Sequence, residues 1–350
     1  MLTLIDSPRF ADHIEPPGHP ERVARHEVMQ AVAAGWAAAG VPIVEPRQAT
    51  REEIERIHDS DYVDSIEAAS GRAVMLDSDT YTSPMTPSVA ALAAGAAVVG
   101  VERVLAASAP ASALALVRPP GHHAEARRGR GFCIYNNVAI AAAHALAAGV
   151  DRVAIVDFDV HHGNGTQWAF FDDPRVLFIS MHQYPFFPGT GAAGESGIGR
   201  GEGFTVNVPL DAGCTSEDYR QVFDCVIRPV LEAFDAGILL VSAGYDIHER
   251  DPLGGMQVTS RGCASLVERL LAWNRSRRAV FVVEGGYHLR ALAACLDETI
   301  ALLAGESVRG PRPARPVVDG ETSREAGETG RGAAAVELVR AVHAGRWRGL

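Results

Sequence analysis

The sequence has 350 residues, of which 47% are hydrophobic and 21% charged, with a formal net charge of −11. That length can bury a large α/β core, and an acidic chain without a basic stripe argues against a nucleic-acid partner. No apolar run approaches the roughly 20 residues of a membrane span and no secretory signal opens the chain, so we expect a cytoplasmic protein with no membrane partner. All 32 basic residues are arginines and the five cysteines form no Cys-x-x-Cys pair. These features exclude Schiff-base lysine chemistry and argue against a cysteine-ligated zinc.

Short apolar runs alternate with Ala/Leu-rich segments along the chain. We predict strands at 2–5, 113–117, 153–156, 176–180, 205–208, 238–241 and 279–283. We predict helices at 21–38, 87–106, 137–148, 216–234, 260–273 and 289–303. This alternation predicts an α/β domain with a parallel sheet and helices on both faces.

The composition changes near the end of the chain. From about 305 to 332 it shifts to Pro, Arg, Gly and Glu, which is typical of a linker. We therefore predict a catalytic domain over 1–305, followed over 306–350 by a linker and a short helix at 333–344. A loosely attached tail and a docked or oligomer-forming helix both remain open for this segment.

Two acids and two histidines follow the predicted strand 153–156. Asp159 and His161 alternate along an extended segment, so both side chains would face the same way. Asp246, which follows the strand 238–241, is the natural third ligand. Two carboxylates and one imidazole leave an open position for water, which predicts a catalytic Zn²⁺ site that would also accept Fe²⁺. The alternative is a purely structural Asp–His hydrogen-bond network.

Further reactive side chains follow other predicted strands. His122 and His123 lie in a Pro-Gly turn, and a neutral imidazole is the usual general acid or base near neutral pH. Asp157 would fix the tautomer of one histidine or bind a second cation, and Asn164 would orient the other. Tyr287, after two glycines, would polarise a carbonyl and stabilise an oxyanion. The alternatives are incidental surface histidines and an ordinary half-buried tyrosine.

Three motifs occur here in a distinctive order. They are Arg-Pro-Pro-Gly-His-His at 118–123, Asp-x-Asp-x-His-His-Gly-Asn-Gly-Thr at 157–166 and Glu-Gly-Gly-Tyr at 284–287. In this order they resemble the histone deacetylase superfamily, which includes acetylpolyamine amidohydrolases and bacterial deacetylase-like amidohydrolases. The resemblance runs from about residue 19 to residue 303. It implies an arginase-like fold, with one α/β domain around an eight-stranded parallel sheet.

The resemblance also implies roles for individual residues. It implies that His123 is the general base and that His122 is its electrostatic partner, held by Asp157. It implies that Tyr287 polarises the substrate carbonyl. It implies zinc ligands at Asp159, His161 and Asp246. It implies a structural K⁺ site at Asp157, Asp159, His161, Ser180 and Met181. It implies a substrate tunnel lined by Gly131, Phe132 and Phe187, with Asp79 contacting the substrate amide.

Two positions indicate which members of this superfamily the sequence resembles more. Asn164 matches the class II pattern, in which asparagine replaces the aspartate of class I enzymes. Leu253 stands in the substrate site where a polyamine-specific relative carries a glutamate, so polyamine preference loses support.

The expected activity is removal of an acetyl or other small acyl group from an N-acylated amine. Acetyl-lysine-type compounds are the leading expectation for the substrate. The alternatives are an acetylpolyamine deacetylase, an arginase-type ureohydrolase with two metals, and a non-catalytic module that binds acyl-lysine. Whether the protein forms a homo-oligomer remains open.

Overall fold

The computed structural model describes residues 1–305, 313–316, 318, 327 and 329–350. Most of the predicted linker at 305–332 therefore lies outside the described residues. The strands are β1 Leu2–Ile5, β2 Ile43–Val44, β3 Val74–Met75, β4 Tyr81–Thr82, β5 Ala111–Ala115, β6 Val153–Asp157, β7 Val176–Gln183, β8 Thr205–Leu210, β9 Ile238–Ala243 and β10 Arg278–Val283.

The helices cover both faces of the sheet. They are α1 Val23–Ala38, α2 Arg51–Glu55, α3 Ser60–Glu67, α4 Thr86–Ala106, α5 Asn137–Ala147, α6 Asn164–Ala169, α7 Ser216–Val222, α8 Arg228–Phe234, α9 Ser260–Trp273, α10 Leu289–Ala304 and α11 Arg331–His343. Helices α4 and α5 pack on one face, whereas α1, α9 and α10 pack together on the other.

Eight strands form one sheet in the order β2-β1-β5-β10-β9-β6-β7-β8, and all its pairings are parallel. Strands β3 and β4 form a separate antiparallel pair. The predicted single α/β domain around an eight-stranded parallel sheet is thus confirmed. The central strands are buried on both faces: in β6, Ala154 and Val156 enter one hydrophobic core and Val153 and Ile155 enter the other.

Three differences between the predicted and the observed elements have a clear physical reason. The predicted strand 113–117 runs instead from Ala111 to Ala115, because its neighbour β1 ends at Ile5, opposite Ala115. The predicted helix 216–234 is divided by a π turn at Phe223–Ile227, just before Pro229, whose missing N–H interrupts the α-helical ladder. Strand β2 was not predicted, because two half-exposed residues carry no periodic signal.

Helix α4 contradicts one expectation. It has 21 residues and is apolar enough, by length and composition, to cross a membrane. The expectation that no apolar run reaches that length was therefore wrong. Most of α4 is buried inside the fold, where it contacts β5, β10 and α5. That is the environment of a core helix.

Helix α11 packs against α7 and β8. Its residues Val336 and Val339 are buried in the main hydrophobic core, as is Trp347 beyond it. The Trp347 indole N–H donates to the Gly203 carbonyl at 3.1 Å, and the Gly332 N–H donates to Asp218 at 3.2 Å. The C-terminal helix is therefore docked on the domain that carries the sheet.

Candidate metal centre and active site

The structure brings Asp159, His161 and Asp246 together. One ligand atom of each lies within 4.8 Å of those of the other two. The His161 Nδ1 is 3.1 Å from Asp159 Oδ1 and 3.3 Å from Asp246 Oδ2. The other carboxylate oxygens accept backbone N–H groups, from Gly285 to Asp159 at 2.8 Å and from Val160 to Asp246 at 2.9 Å. These bonds hold both carboxylates in fixed orientations.

The sheet explains this convergence. Strands β6, β9 and β10 are adjacent and parallel, so their carboxyl ends open on one edge, where α/β sheets bind ligands. Gly244 and Gly285 line the same point, because a side chain at either would collide with the Asp159 or Asp246 carboxylate. Glycine at both positions lets neighbouring chains approach the carboxylates closely.

The three groups fit a divalent cation. Asp246 Oδ2 is buried and makes no hydrogen bond. Burial and the negative charge of Asp159 raise the pKa of Asp246 to about 7. Burial lowers the pKa of His161, but its contacts with both carboxylates outweigh burial and raise that pKa to about 10. The cluster thus concentrates negative charge that a bound cation would balance. Two carboxylates and an imidazole suit zinc or another first-row ion.

The two adjacent histidines lie in different electrostatic environments. The His122 Nδ1 is 2.9 Å from Asp157 Oδ2, and its ring centroid is 4.0 Å from that of His123. Burial opposes the charge on His122, but Asp157 and Asp159 raise its pKa to about 10. Burial and the positive charges of His122 and His161 hold the pKa of His123 well below its usual value. His123 is therefore the neutral imidazole of the pair.

Asn164 accepts from the His123 ring. Its Oδ1 lies 2.8 Å from His123 Nδ1, so the hydrogen on that ring nitrogen faces the asparagine. The structure thus joins His123 to Asn164 and His122 to Asp157.

Tyr287 is buried beside the ligand cluster. Its backbone N–H donates to Asp251 Oδ2 at 2.6 Å, and the Arg25 guanidinium lies 5.0 Å above its ring. Burial raises its pKa well above 10, despite the opposing charge of Arg25. The negative charges of Asp246 and Asp159 act in the same direction as burial. The phenol therefore stays protonated as a hydrogen-bond donor.

Two aromatic rings lie beside these groups. Phe187, with 37% of its surface exposed, approaches His123 edge-on with ring centroids 5.0 Å apart. The Phe132 ring stands edge-on to Tyr287 at 5.8 Å. Gly131, at φ +55°, lies against His123 and Phe187, where a side chain would collide. The predicted tunnel residues thus border the predicted catalytic groups.

The remaining predicted substrate residues, Asp79 and Leu253, are linked to Phe132 and Tyr287 through neighbouring residues. The Asp79 carbonyl accepts from His19 Nε2 at 2.9 Å, and the His19 ring is 4.6 Å from that of Phe132. Leu253 is half-buried, and its N–H donates to Asp251 Oδ1 at 2.9 Å. Because Asp251 also accepts the Tyr287 backbone N–H, the Asp251 carboxylate connects Leu253 to Tyr287.

The residues predicted for a monovalent cation lie at the end of β6, in the segment that follows it and in the neighbouring strand β7. Asp157 at the end of β6 faces Ser180 of β7, and Asp159 and His161 follow directly in the chain. The Ser180 hydroxyl lies 2.9 Å from His182 Nδ1, and Met181 is fully buried.

Comparison with known proteins identifies the family. The sequence profile described as "Histone deacetylase domain" matches residues 18–303. The chain belongs to the histone deacetylase family. It is 39% identical over 313 residues to a "Probable deacetylase" of Archaeoglobus fulgidus, covering 87% of each chain.

Two further relatives of this family member are informative. It is 38% identical over 322 residues to the human "Polyamine deacetylase HDAC10", a match covering 87% of this chain and 46% of that protein. The crystal structure of the HDA15 HD domain superimposes with a TM-score of 0.86 at 35% identity, covering 97% of this chain and 95% of that one. These relatives support a deacetylase hydrolase acting on an acylated amine.

Sequence reasoning assigned no role to two charged residues at the site of this deacetylase-family protein, Glu284 and Arg25. Glu284 is fully buried and accepts the N–H groups of Gly121 at 2.6 Å and His122 at 3.2 Å, so it holds the histidine turn. Arg25 donates to the carbonyls of Glu284 at 2.5 Å and Gly286 at 2.8 Å. A charged residue directly after an apolar strand, such as Glu284 after Val283, was an available signal.

Proposed function

We propose that this protein is a zinc-dependent deacetylase that removes acetyl groups from acetyl-lysine-type amines in the cytoplasm. The observation that carries the proposal is the convergence of Asp159, His161 and Asp246 beside the neutral His123 and the protonated Tyr287. Family membership supports the reaction class. The lack of a basic stripe argues against nucleic acid as a partner.

Asp159, His161 and Asp246 would hold the zinc ion. Bound there, it would supply Lewis-acid chemistry, polarising a carbonyl and lowering the pKa of a water molecule toward about 7. Asp246 Oδ2, which is buried and makes no hydrogen bond although it lies 3.3 Å from His161 Nδ1, supports this assignment. Fe²⁺ would suit the same ligands.

His123 would act as the general base. Its Nδ1 faces Asn164, which leaves Nε2 free to accept a proton from the attacking water and later to donate it to the leaving amine. His122, kept protonated by Asp157, would add positive charge beside the reaction and hold His123 neutral between turnovers.

Tyr287 would donate a hydrogen bond to the substrate carbonyl oxygen and stabilise its negative charge in the tetrahedral intermediate. Its high pKa keeps the proton in place for that role. The hydrogen bond from the Tyr287 backbone N–H to Asp251 supports a fixed position for this residue.

Phe132 and Phe187 would line a tunnel for the methylene chain of the substrate, with Gly131 leaving room at its wall and Asp79 binding the substrate amide. Burying apolar methylenes between two aromatic rings favours an uncharged stem over a polar one. Leu253 would favour acetyl-lysine, because an apolar side chain offers no partner for a second ammonium group.

A structural K⁺ ion would lie at Asp157, Asp159, His161, Ser180 and Met181, partly bound by backbone oxygens. The pairing of β6 with β7 supports this site, because it brings the two segments side by side. Carbonyl and hydroxyl oxygens suit such a hard cation.

Acetylpolyamine hydrolysis is the second candidate, since one relative is named a polyamine deacetylase. Turnover of an acetyl-lysine peptide and of N-acetylpolyamines should be measured on the purified protein, before and after chelation and with zinc or iron restored. We expect chelator-sensitive turnover that prefers acetyl-lysine. Chelator-insensitive turnover would contradict the zinc mechanism, two manganese ions per chain would favour a ureohydrolase, and binding without turnover would favour a non-catalytic module.

A further inference from the structure

Glu125 follows the histidine pair in the chain and lies next to the asparagine that orients His123. Its Oε1 accepts the Asn164 side-chain N–H at 2.7 Å. The same carboxylate pairs with Arg128 at 2.9 Å and Arg130 at 3.3 Å, and 20% of its side chain is exposed. The sequence motifs give Glu125 no role.

Asn164 is fully buried, and the two ends of its amide face different partners. Its Oδ1 lies 2.8 Å from His123 Nδ1, whereas its Nδ2 faces Glu125 and, at 3.4 Å, the His123 carbonyl oxygen. A rotation of the amide by 180° would bring its NH₂ group against His123 Nδ1 and its oxygen against a carboxylate. The hydrogen-bond partners therefore decide which end faces the histidine.

We propose that Glu125 is a positioning residue that fixes the orientation of the Asn164 amide and, through it, the tautomer of His123. An ionised carboxylate only accepts hydrogen bonds, so it draws the Asn164 NH₂ toward itself. The Asn164 oxygen then accepts from His123 Nδ1, and Nε2 remains the unprotonated ring nitrogen. This inference rests on the proposed function, in which His123 Nε2 takes a proton from water.

Reversing the polarity of this position tests the proposal. Glu125→Lys replaces an acceptor with a group that only donates, so the Asn164 oxygen turns toward the lysine and the NH₂ toward His123. The His123 proton then moves to Nε2, which loses its capacity as a base. Because general-base catalysis contributes roughly 10²–10⁴ in rate, we expect kcat to fall by about 10² or more with KM changed by less than about threefold.

A second substitution should restore the base. Asn164→Asp alone sets two carboxylates against each other and should lower kcat by roughly tenfold. In the double variant with Glu125→Lys, the new carboxylate accepts hydrogen bonds from both the lysine and His123. Both of its oxygens are acceptors, so the orientation of an amide no longer matters. We expect the double variant to recover to within about tenfold of the parent, a strongly non-additive result for residues in contact.

Two variants serve as controls. Glu125→Gln keeps an acceptor oxygen for Asn164 and should retain most activity. Glu52→Lys makes the same charge change at a glutamate whose side chain is 83% exposed on α2, and it should behave as the parent protein. Thermal melting and zinc content should be measured for all variants, so that misfolding is recognised.

The tautomer of His123 should also be read directly by ¹⁵N NMR of the imidazole, assigned by the signal lost in His123→Ala. We expect a proton on Nδ1 in the parent, on Nε2 in Glu125→Lys and again on Nδ1 in the double variant. An unchanged tautomer in Glu125→Lys, or a double variant no better than Glu125→Lys, would overturn the proposal. A parent protein without chelator-sensitive turnover would overturn only the proposed function, because the tautomer is measured without turnover.

Discussion

The proposed metal centre and the rim of the proposed substrate tunnel, formed by Phe132 and Phe187, are built in different ways. The three proposed ligands lie at or just beyond the ends of neighbouring β-strands, and the carboxylates of Asp159 and Asp246 are fully buried. The rim is made of loop residues, among them Phe187 with 37% exposure and Phe132 in a left-handed backbone conformation at φ +68°. The proposed metal ligands thus directly follow strands of the sheet, and the aromatic residues proposed to contact the substrate lie on loops, which tolerate change more readily.

This difference leads to a specific expectation. Changes at the strand ends should lower kcat or metal binding, whereas changes at the rim should alter KM or substrate preference. Variants of each kind would test whether the two regions are separable.

The largest effect is expected at the ligand set. Asp246→Asn replaces a carboxylate ligand with a neutral amide, so zinc should bind much more weakly and turnover should fall below detection. Zinc at 100 times its dissociation constant should stabilise the parent by about 2.7 kcal/mol in thermal or denaturant unfolding, and this gain should disappear. Asp235→Asn, at a side chain 56% exposed, is the matched control. An Asp246→Asn protein that keeps its zinc and its turnover would refute the ligand assignment.

The next effect is expected at Tyr287. Tyr287→Phe removes one oxyanion donor, so kcat should fall about 10²- to 10³-fold. The melting temperature should stay close to that of the parent, because the ring beside Arg25 and Phe132 is kept. Tyr135→Phe, at a buried tyrosine elsewhere, should leave kcat unchanged. Parent-like turnover in Tyr287→Phe would remove the tyrosine from the mechanism.

A smaller effect is expected at Phe187. Phe187→Ala removes one wall of the proposed tunnel. Because the substrate would lose about 1.5 kcal/mol of apolar burial, KM should rise roughly tenfold. Phe187→Leu keeps part of that surface and should show an intermediate KM. Steady-state kinetics with an acetyl-lysine peptide would measure both. A fall in kcat with unchanged KM would instead link Phe187 to the base His123, whose ring it contacts.

The smallest effect is expected at Leu253. Leu253→Glu would add a carboxylate for a second ammonium group, and a partly exposed ion pair contributes about 0.2–1 kcal/mol. The ratio of acetylpolyamine to acetyl-lysine turnover should therefore rise by roughly two- to fivefold in kcat/KM. Leu253→Gln, which is similar in size and neutral, should not show this change. An equal rise in both variants would mean that polarity rather than charge governs selection.

The strand ends were predictable because their signal is local. An uninterrupted apolar run such as 153–156 followed by Asp157 and Asp159 indicates a buried parallel strand that ends in polar groups. Strand parallelism then brings Asp246 to the same edge without any further information. The parallel sheet and its covering helices followed from this reasoning, and Asp246 followed as the natural candidate for the third ligand, whereas the number of eight strands came from the family resemblance.

The remaining features depend on contacts between distant parts of the chain. Asp251 meets Tyr287 across 36 residues and Arg25 meets Gly286 across 261, and no local pattern encodes either contact. The rim residues Phe132 and Phe187 were named only through the family resemblance, because loop conformation follows no periodicity. Helix α4 was misjudged for a related reason: a core helix packed on a sheet can be as apolar as a membrane span.

The docked helix α11 bears on where this protein can be cut. The family profile ends at residue 303, yet Val336, Val339 and Trp347 belong to the same hydrophobic core as the sheet. A chain shortened to the matched region would leave that apolar surface on α7 and β8 facing water, which invites self-association. For anyone preparing the enzyme, the last twenty residues are part of the folded unit rather than a convenient place for trimming.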